Sequence, residues 1–206
     1  MASPAVDFYF DYSSPFAYLG ATQIARIAEE QNATLTYKPM LLGGLFKSIG
    51  TPIVPLMDFT EAKRTYYLRD LERWAEHWGV SFKLPSRFPM NTVGPLRLTL
   101  AVASQQPPAL APLIDRIFRA YWVEDKNISD TDVLASILTE LELDPVLLES
   151  IQDPTIKASL RDATDAAVQL GVCGAPTSVV DGMLFWGQDR MNFVERALKG
   201  WRPPCG

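Results

Sequence analysis

The chain has 206 residues, of which 48% are hydrophobic and 21% charged, so it can bury a full core and intrinsic disorder is not expected. Its formal net charge is -5, whereas nucleic-acid binding needs clustered Lys and Arg, so we expect no nucleic-acid partner. No apolar run approaches the roughly 20 residues that span a bilayer, and the first residues lack the basic and apolar regions of a signal peptide. We therefore expect a cytoplasmic protein without a membrane partner.

The first part of the chain predicts a β-α-β unit. Residues 6–10 are rich in strand formers, and Ser14 and Pro15 then make a helix start, with a capping serine and a proline in the first turn. The helix is predicted to end near Gln31, and a second strand is predicted at 35–38.

From about residue 43 the sequence changes to a loop that carries Gly and Pro, and then to helices. Residues 58–61 resemble a capping box before an aromatic helix, interpreted as core, that stops at Gly79. Ser129 and Asp144 are cap candidates for later helices. Those helices are predicted at 92–105, 109–122, 130–141, 144–151 and 154–170.

The end of the chain returns to strands, since residues 177–180 and 183–186 flank an Asp-Gly turn and predict a hairpin. A last helix is predicted to begin at 187–189. The order predicts an α/β fold, a thioredoxin-like sheet with an inserted all-helical domain. The predicted boundaries are 1–43 and 171–206 for the two parts of the sheet domain and 44–170 for the insertion.

Histidine, metal and disulfide chemistry have little support in the sequence. Cys173 and Cys205 are far apart and form no CxxC pair, and His77 is the only histidine, so neither a disulfide framework nor a metal site is predicted. We interpret His77 as structural, and Cys173 as a small buried side chain in preference to a reactive thiol.

Ser14 is the first candidate for a functional residue. In a thioredoxin-like domain the loop after the first strand meets the N-terminus of the first helix, where free N–H groups and the helix dipole favour an anion. Disulfide oxidoreductases carry a low-pKa cysteine at this position. A chain with serine there cannot exchange thiols with its own side chain, so the thiol has to come with a ligand. The alternative is that Ser14 is simply an N-cap.

Two further segments are candidates for the same cleft. Pro176 directly precedes a strand, and a cis bond there would turn the Ala175 backbone towards a peptide-like ligand, although a trans proline is equally compatible. Asp189 is expected to cap the last helix, and if it also faces the cleft its carboxylate could meet the ammonium group of a ligand. Lys47 and Lys63 would ordinarily be solvated charges, but either could bind a carboxylate.

Three segments together, FYFDYSSPFAYLG, GVCGAPTSVV and FWGQDRMNFVERAL, resemble the 2-hydroxychromene-2-carboxylate isomerases of the DsbA-like, kappa-class glutathione transferase superfamily. The resemblance covers essentially the whole chain. It implies a DsbA-like fold, glutathione as the cofactor, a small aromatic substrate bound between the two domains, and a homodimer.

The resemblance also implies residue roles. Ser14 would be the catalytic residue and would face the glutathione sulfur as a hydrogen-bond donor. Lys47 would bind the substrate carboxylate, and Phe88 would contact the substrate at a position where naphthalene-pathway isomerases have a tyrosine. The other residues implied for glutathione are Lys63, Ala175, Pro176, Trp186, Gly187, Gln188 and Asp189.

The resemblance implies a glutathione-dependent isomerase of aromatic catabolism, in which the thiolate adds to an electron-poor carbon and leaves after bond rotation. A kappa-like glutathione transferase is an alternative, and it would differ by keeping the glutathionyl group in its product. A DsbA-fold peptide-binding module without redox activity is a non-enzymatic alternative, and it would have no preference for glutathione.

Overall fold

The computed structural model describes residues 3–204, and within that range the sheet has four strands in the order β2-β1-β3-β4. Strand β1 pairs in parallel with β2, while β3 is antiparallel to both β1 and β4. This topology confirms the predicted thioredoxin-like order. The strands are β1 Ala5–Phe10, β2 Thr34–Pro39, β3 Thr177–Val180 and β4 Met183–Trp186.

Helices cover the sheet and make up most of the chain between β2 and β3. The described residues contain eight α-helices: α1 Pro15–Glu30, α2 Leu42–Ile49, α3 Glu61–Trp78, α4 Val93–Gln105, α5 Leu110–Trp122, α6 Thr131–Glu140, α7 Pro154–Leu170 and α8 Met191–Leu198. Short 3₁₀ helices lie at Pro55–Asp58, Pro107–Ala109, Pro145–Gln152 and Gln188–Arg190.

Helix α2 was not predicted, because Gly43 and Gly44 indicated a loop. Tertiary contacts override this low propensity: Leu45 and Phe46 are buried, and the first helical N–H, that of Leu42, donates to a buried carboxylate. Helix α2 crosses the predicted domain boundary between residues 43 and 44. The division into domains stays a prediction.

Two helix caps differ from the predicted ones, and a third precedes a different type of helix. Helix α3 is capped by Thr60 instead of Asp58, and α6 by Asp130 instead of Ser129. Asp144 is a cap as predicted, but the segment that follows it is a 3₁₀ helix. In each case the capping oxygen accepts a backbone N–H two or three residues further on, which satisfies one of the free donors of the first turn.

Strand β1 lies at the centre of the core. Its Phe8 and Phe10 are fully buried, and the aromatic ring of Tyr12, just past the strand, contacts Phe10 and the α5 residue Phe118 with centroid distances of 5.3 and 4.8 Å. Edge-on aromatic contacts of this kind stabilise the fold beyond the effect of burying apolar area alone. The end of β1 is therefore joined to both the sheet and the helices, and the loop that follows it starts from a fixed position.

Candidate active site

Asp11 organises the loop between β1 and α1. Its side chain is 1% exposed, and its Oδ1 accepts hydrogen bonds from the Ser13 N–H at 2.9 Å and the Thr92 hydroxyl at 2.7 Å. Its Oδ2 accepts from the Leu42 N–H at 2.7 Å. Burial raises the pKa of Asp11 above its ordinary value, and these hydrogen bonds oppose the rise. One carboxyl group thus ties the loop to the starts of α2 and α4.

Tyr12 holds the same loop from the other side. The Trp122 indole N–H donates to its carbonyl oxygen at 2.9 Å, and its hydroxyl is hydrogen-bonded to the Thr99 hydroxyl at 2.6 Å. All three side chains are buried. Because buried polar groups are costly to leave unpaired, these bonds fix the loop against α4 and α5.

Ser14 is the N-cap of α1, so the capping interpretation is confirmed. Its Oγ accepts the Ala17 N–H at 3.1 Å and donates to the Ala175 carbonyl oxygen at 2.8 Å. The bond between Ala175 and Pro176 is cis. Ser14 is 4% exposed and lies on the wall of a cavity, so its hydroxyl is both a cap and part of an accessible site.

The cavity lies between the sheet and the helices α2 and α3 and has a volume of about 520 Å³, which is within the usual range for small-molecule sites. The sheet side contributes the start of α1, the loop before β3 and the end of β4. The helical side contributes α2, residues 51–59, α3 and residues 84–89. The residues that line the whole cavity are Ser13, Ser14, Pro15, Phe16, Leu42, Phe46, Thr51, Ile53, Val54, Pro55, Leu56, Phe59, Lys63, Tyr67, Leu68, Leu71, Leu84, Phe88, Pro89, Cys173, Gly174, Ala175 and Trp186.

Five of the predicted site residues line this cavity, namely Ser14, Lys63, Phe88, Ala175 and Trp186. The Lys63 Nζ lies 3.9 Å from the centre of the Phe59 ring, which is a cation–π contact. The structure therefore brings together residues that are separated by more than 100 positions in the sequence.

The fold and the cleft can be compared with known proteins. The family model of the DSBA-like thioredoxin domain matches residues 5–199. The chain belongs to this family. Two relatives cover nearly all of it: 2-hydroxychromene-2-carboxylate isomerase of Sphingobium xenophagum and glutathione S-transferase kappa 1 of Rattus norvegicus.

Both relatives have the same sequence identity to this DsbA-like protein. The isomerase is 28% identical over 200 residues, covering 94% of this chain and 97% of the relative. The transferase is 28% identical over 218 residues, covering 98% and 95%. A solved structure of a 2-hydroxychromene-2-carboxylate isomerase superposes with a TM-score of 0.82 at 25% identity and covers 95% of both chains. These findings confirm the DsbA-like fold and the resemblance that the sequence indicated.

Lys47 and the predicted site residues that follow β4 do not line the cavity. Lys47 is exposed on α2 and is not part of the lining. Gln188 is buried, and its Oε1 accepts the Trp78 indole N–H at 2.5 Å, while the Gly187 N–H donates to the Pro176 carbonyl at 2.9 Å. These bonds hold the end of β4 against α3 and the loop before β3.

Asp189 is not the cap of the last helix, so that prediction was wrong. It lies within a 3₁₀ turn, α8 begins two residues later at Met191, and the Arg190 at the cap position makes no side-chain capping bond. The exposed Asp189 carboxylate instead pairs with the Arg190 guanidinium. Its role towards a ligand stays a prediction.

Cys173 is exposed and lines the cavity, so the prediction of a buried side chain was also wrong. Partial desolvation raises its thiol pKa, which lowers the thiolate fraction at neutral pH. The next residue, Gly174, lies under the Trp186 indole, and a Cβ added there would be 2.5 Å from Nε1. The close approach of this ring leaves no room for a side chain at 174.

Tyr67 is a cavity residue that the sequence interpretation assigned to the core. Burial raises its pKa, so the phenol stays protonated and can only be a neutral polar group there. Its ring contacts Phe16 and Phe59 with centroid distances of 5.0 and 5.4 Å. The spacing of Lys63, Tyr67 and Leu71 at every fourth position was the available signal, because it places all three on one face of α3.

Residues 3–204 contain no group of three or more His, Cys, Asp or Glu side chains that could hold a metal ion. In the same described part of the chain, no helix combines the length and the apolar character needed to cross a membrane.

Proposed function

We propose that this protein is a glutathione-dependent isomerase of aromatic catabolism that acts on a small aromatic substrate. The observation that carries the proposal is the Ser14 hydroxyl, which lies at the N-terminus of α1 on the wall of a largely apolar cavity. The similarity to proteins named as isomerases and as glutathione transferases supports it. The cytoplasmic location and the homodimer implied by the resemblance belong to the same proposal, and light scattering of the purified protein tests the dimer.

The residues around Ser14 fit a tripeptide thiol. Ser14 would face the sulfur, the Ala175 backbone beside Pro176 would pair with the peptide, and the Lys63 ammonium on the cavity wall would meet the glycine carboxylate. Trp186, Gly187, Gln188 and Asp189 would hold the γ-glutamyl end. For Asp189 this requires that its carboxylate be shared with, or released from, Arg190.

The energetic demand on Ser14 is modest. A free thiol with a pKa of about 8.5 is only about 3% ionised at pH 7, and a fall of about two units requires about 2.7 kcal/mol of preferential thiolate stabilisation. A hydroxyl donor to a charged acceptor contributes about 1.5 to 3 kcal/mol, and a helix N-terminus about 0.3 to 1 kcal/mol. No general base on the protein is needed.

When bound, glutathione would supply a thiolate that adds reversibly to an electron-poor substrate carbon, so that a double bond becomes a rotatable single bond. Ser14 has one O–H, which is now donated to the Ala175 carbonyl. This hydrogen has to turn towards the cavity to meet a sulfur, while Oγ keeps the Ala17 N–H. The Ala175 carbonyl is then free for a peptide N–H of the ligand. Ser14 thus serves as a hydrogen-bond donor and not as a nucleophile.

Calorimetry with glutathione tests the binding part of the proposal. We expect saturable binding that weakens by a factor of about 1.4 to 5 in Lys63→Ala and in Asp189→Ala, because an exposed ion pair contributes about 0.2 to 1 kcal/mol. Asp162→Ala, which removes an exposed carboxylate on α7, is the matched control and should bind as the wild type does. Binding of an unrelated tripeptide as tight as that of glutathione would instead favour the peptide-binding module.

The equal similarity to a kappa-class glutathione transferase supports a second candidate, the conjugation of glutathione to small electrophiles. The mass of the product separates the two reactions. An isomerase releases a product with the mass of its substrate, whereas a transferase releases one that has gained the glutathionyl group.

A further inference from the structure

Charged side chains are nearly absent from the cavity wall. Among the described residues that line it, Lys63 is the only charged one. Its ammonium lies against the Phe59 ring, at the end where α3 begins. The remaining polar side chains of the wall carry neutral hydroxyl, thiol and indole groups.

On the proposed function, Lys63 is engaged by the glycine carboxylate of glutathione, so the substrate part of the cavity keeps no cation from the described lining. Lys47, the other lysine considered for a substrate carboxylate, is exposed on α2 outside the lining. Tyr67 stays protonated, since burial raises its pKa, and it offers only a neutral hydrogen-bond donor.

On the helical side of the cavity, residues 53–56 and Phe59 contribute apolar side chains to the wall, and Thr51 adds one neutral hydroxyl group. A carboxylate held against such a wall loses its hydration and gains no ionic partner, which disfavours the bound state. A neutral aromatic ring gains from the same burial.

We infer that the second substrate is an uncharged aromatic electrophile, not a carboxylate. The inference rests on the proposed function, because that function assigns Lys63 to glutathione. Substrate selection then follows from the wall: apolar side chains favour a neutral ring, and the missing second cation disfavours an anion.

Two fluorescent probes that differ by one sulfonate test this directly. N-phenyl-1-naphthylamine is neutral, and 8-anilinonaphthalene-1-sulfonate is the same molecule with a negative charge. With saturating glutathione present, we expect the neutral probe to bind at least tenfold more tightly. Equal affinity, tighter binding of the sulfonate, or no binding of either probe would overturn the inference.

A charge added at the rim provides the reciprocal test. Leu84 lines the cavity and is 41% exposed, so a lysine there can keep its ammonium hydrated. Leu84→Lys should narrow the affinity ratio of the two probes at least threefold, whereas Leu84→Met should leave it unchanged. A ratio that does not respond to the lysine would contradict the inference. Both probes are also titrated without glutathione, and glutathione binding is measured separately by calorimetry. Failure of the proposed function is therefore distinguishable from failure of this inference.

Discussion

Replacement of Ser14 by alanine is expected to lower turnover about 10- to 150-fold, because it removes a hydrogen bond to a charged sulfur that contributes about 1.5 to 3 kcal/mol. The substitution also removes the cap of α1, which costs about 1 kcal/mol of folding stability. Steady-state kinetics at saturating glutathione and substrate measures the first effect, and chemical denaturation the second.

The affinity for glutathione should change much less than turnover does. If Ser14 lowers the bound thiol pKa from about 8.5 to about 6.5, its loss weakens total binding at pH 7 by only about fourfold, since most of the free thiol is protonated at that pH. A large loss of affinity with unchanged turnover would contradict the assignment of a donor role to Ser14.

Three variants separate the donor from the cap. Ser14→Thr keeps both functions and should remain active, whereas Ser14→Asp keeps an acceptor for the Ala17 N–H but has no hydrogen to donate at neutral pH. Ser13→Ala is the matched control, because Ser13 also lines the cavity and its contact with Asp11 is made by the backbone N–H. Recovery of activity in Ser14→Asp would show that capping alone matters.

The largest expected effect on stability comes from Asp11→Ala, about 3 to 5 kcal/mol in the free energy of unfolding. The substitution leaves three donors without their acceptor inside the protein, the N–H groups of Ser13 and Leu42 and the Thr92 hydroxyl. Asp7→Ala, on the preceding strand β1, is the matched control, because its contact with Lys38 is a partly exposed ion pair at 3.9 Å that contributes little. Chemical denaturation of both variants measures the difference.

The pH dependence of the same site can be isolated with Asp11→Asn. The pKa of Asp11 in the folded state is raised above its ordinary value of 3.8, so the folded protein holds the proton more tightly than the unfolded chain does. Its contribution to stability is then fully present below about pH 4 and is lost as the pH rises through the folded-state pKa. The stability of the wild type relative to Asp11→Asn should therefore fall from pH 4 to pH 7. A difference that grows over this range would mean that the pKa is lowered instead.

The sequence was sufficient for the topology because its strands and helices carry strong local signals. The aromatic run before Ser14 and the hairpin around Asp181 and Gly182 are adjacent-residue patterns, and both elements are present in the structure. The position of Ser14 at a helix start follows from the same kind of local signal, since Pro15 fits only the first turn.

The features that were missed depend on contacts between distant segments. Helix α2 forms despite two glycines because its first N–H and its buried side chains are held by the rest of the fold. No role was predicted for Asp11, and nothing near it in the sequence indicated that Thr92 would donate to it. The apolar character of the cavity comes from seven separate segments, so it became visible only when they were folded together.

The thiolate absorbance of glutathione bound to the protein, followed near 240 nm as a function of pH, tests the central claim most directly. Protein without glutathione provides the baseline for Cys173 and the tyrosines. The account predicts a midpoint about two units below 8.5 in the wild type and a return towards 8.5 in Ser14→Ala. A bound thiol that ionises near 8.5 in both proteins would contradict it.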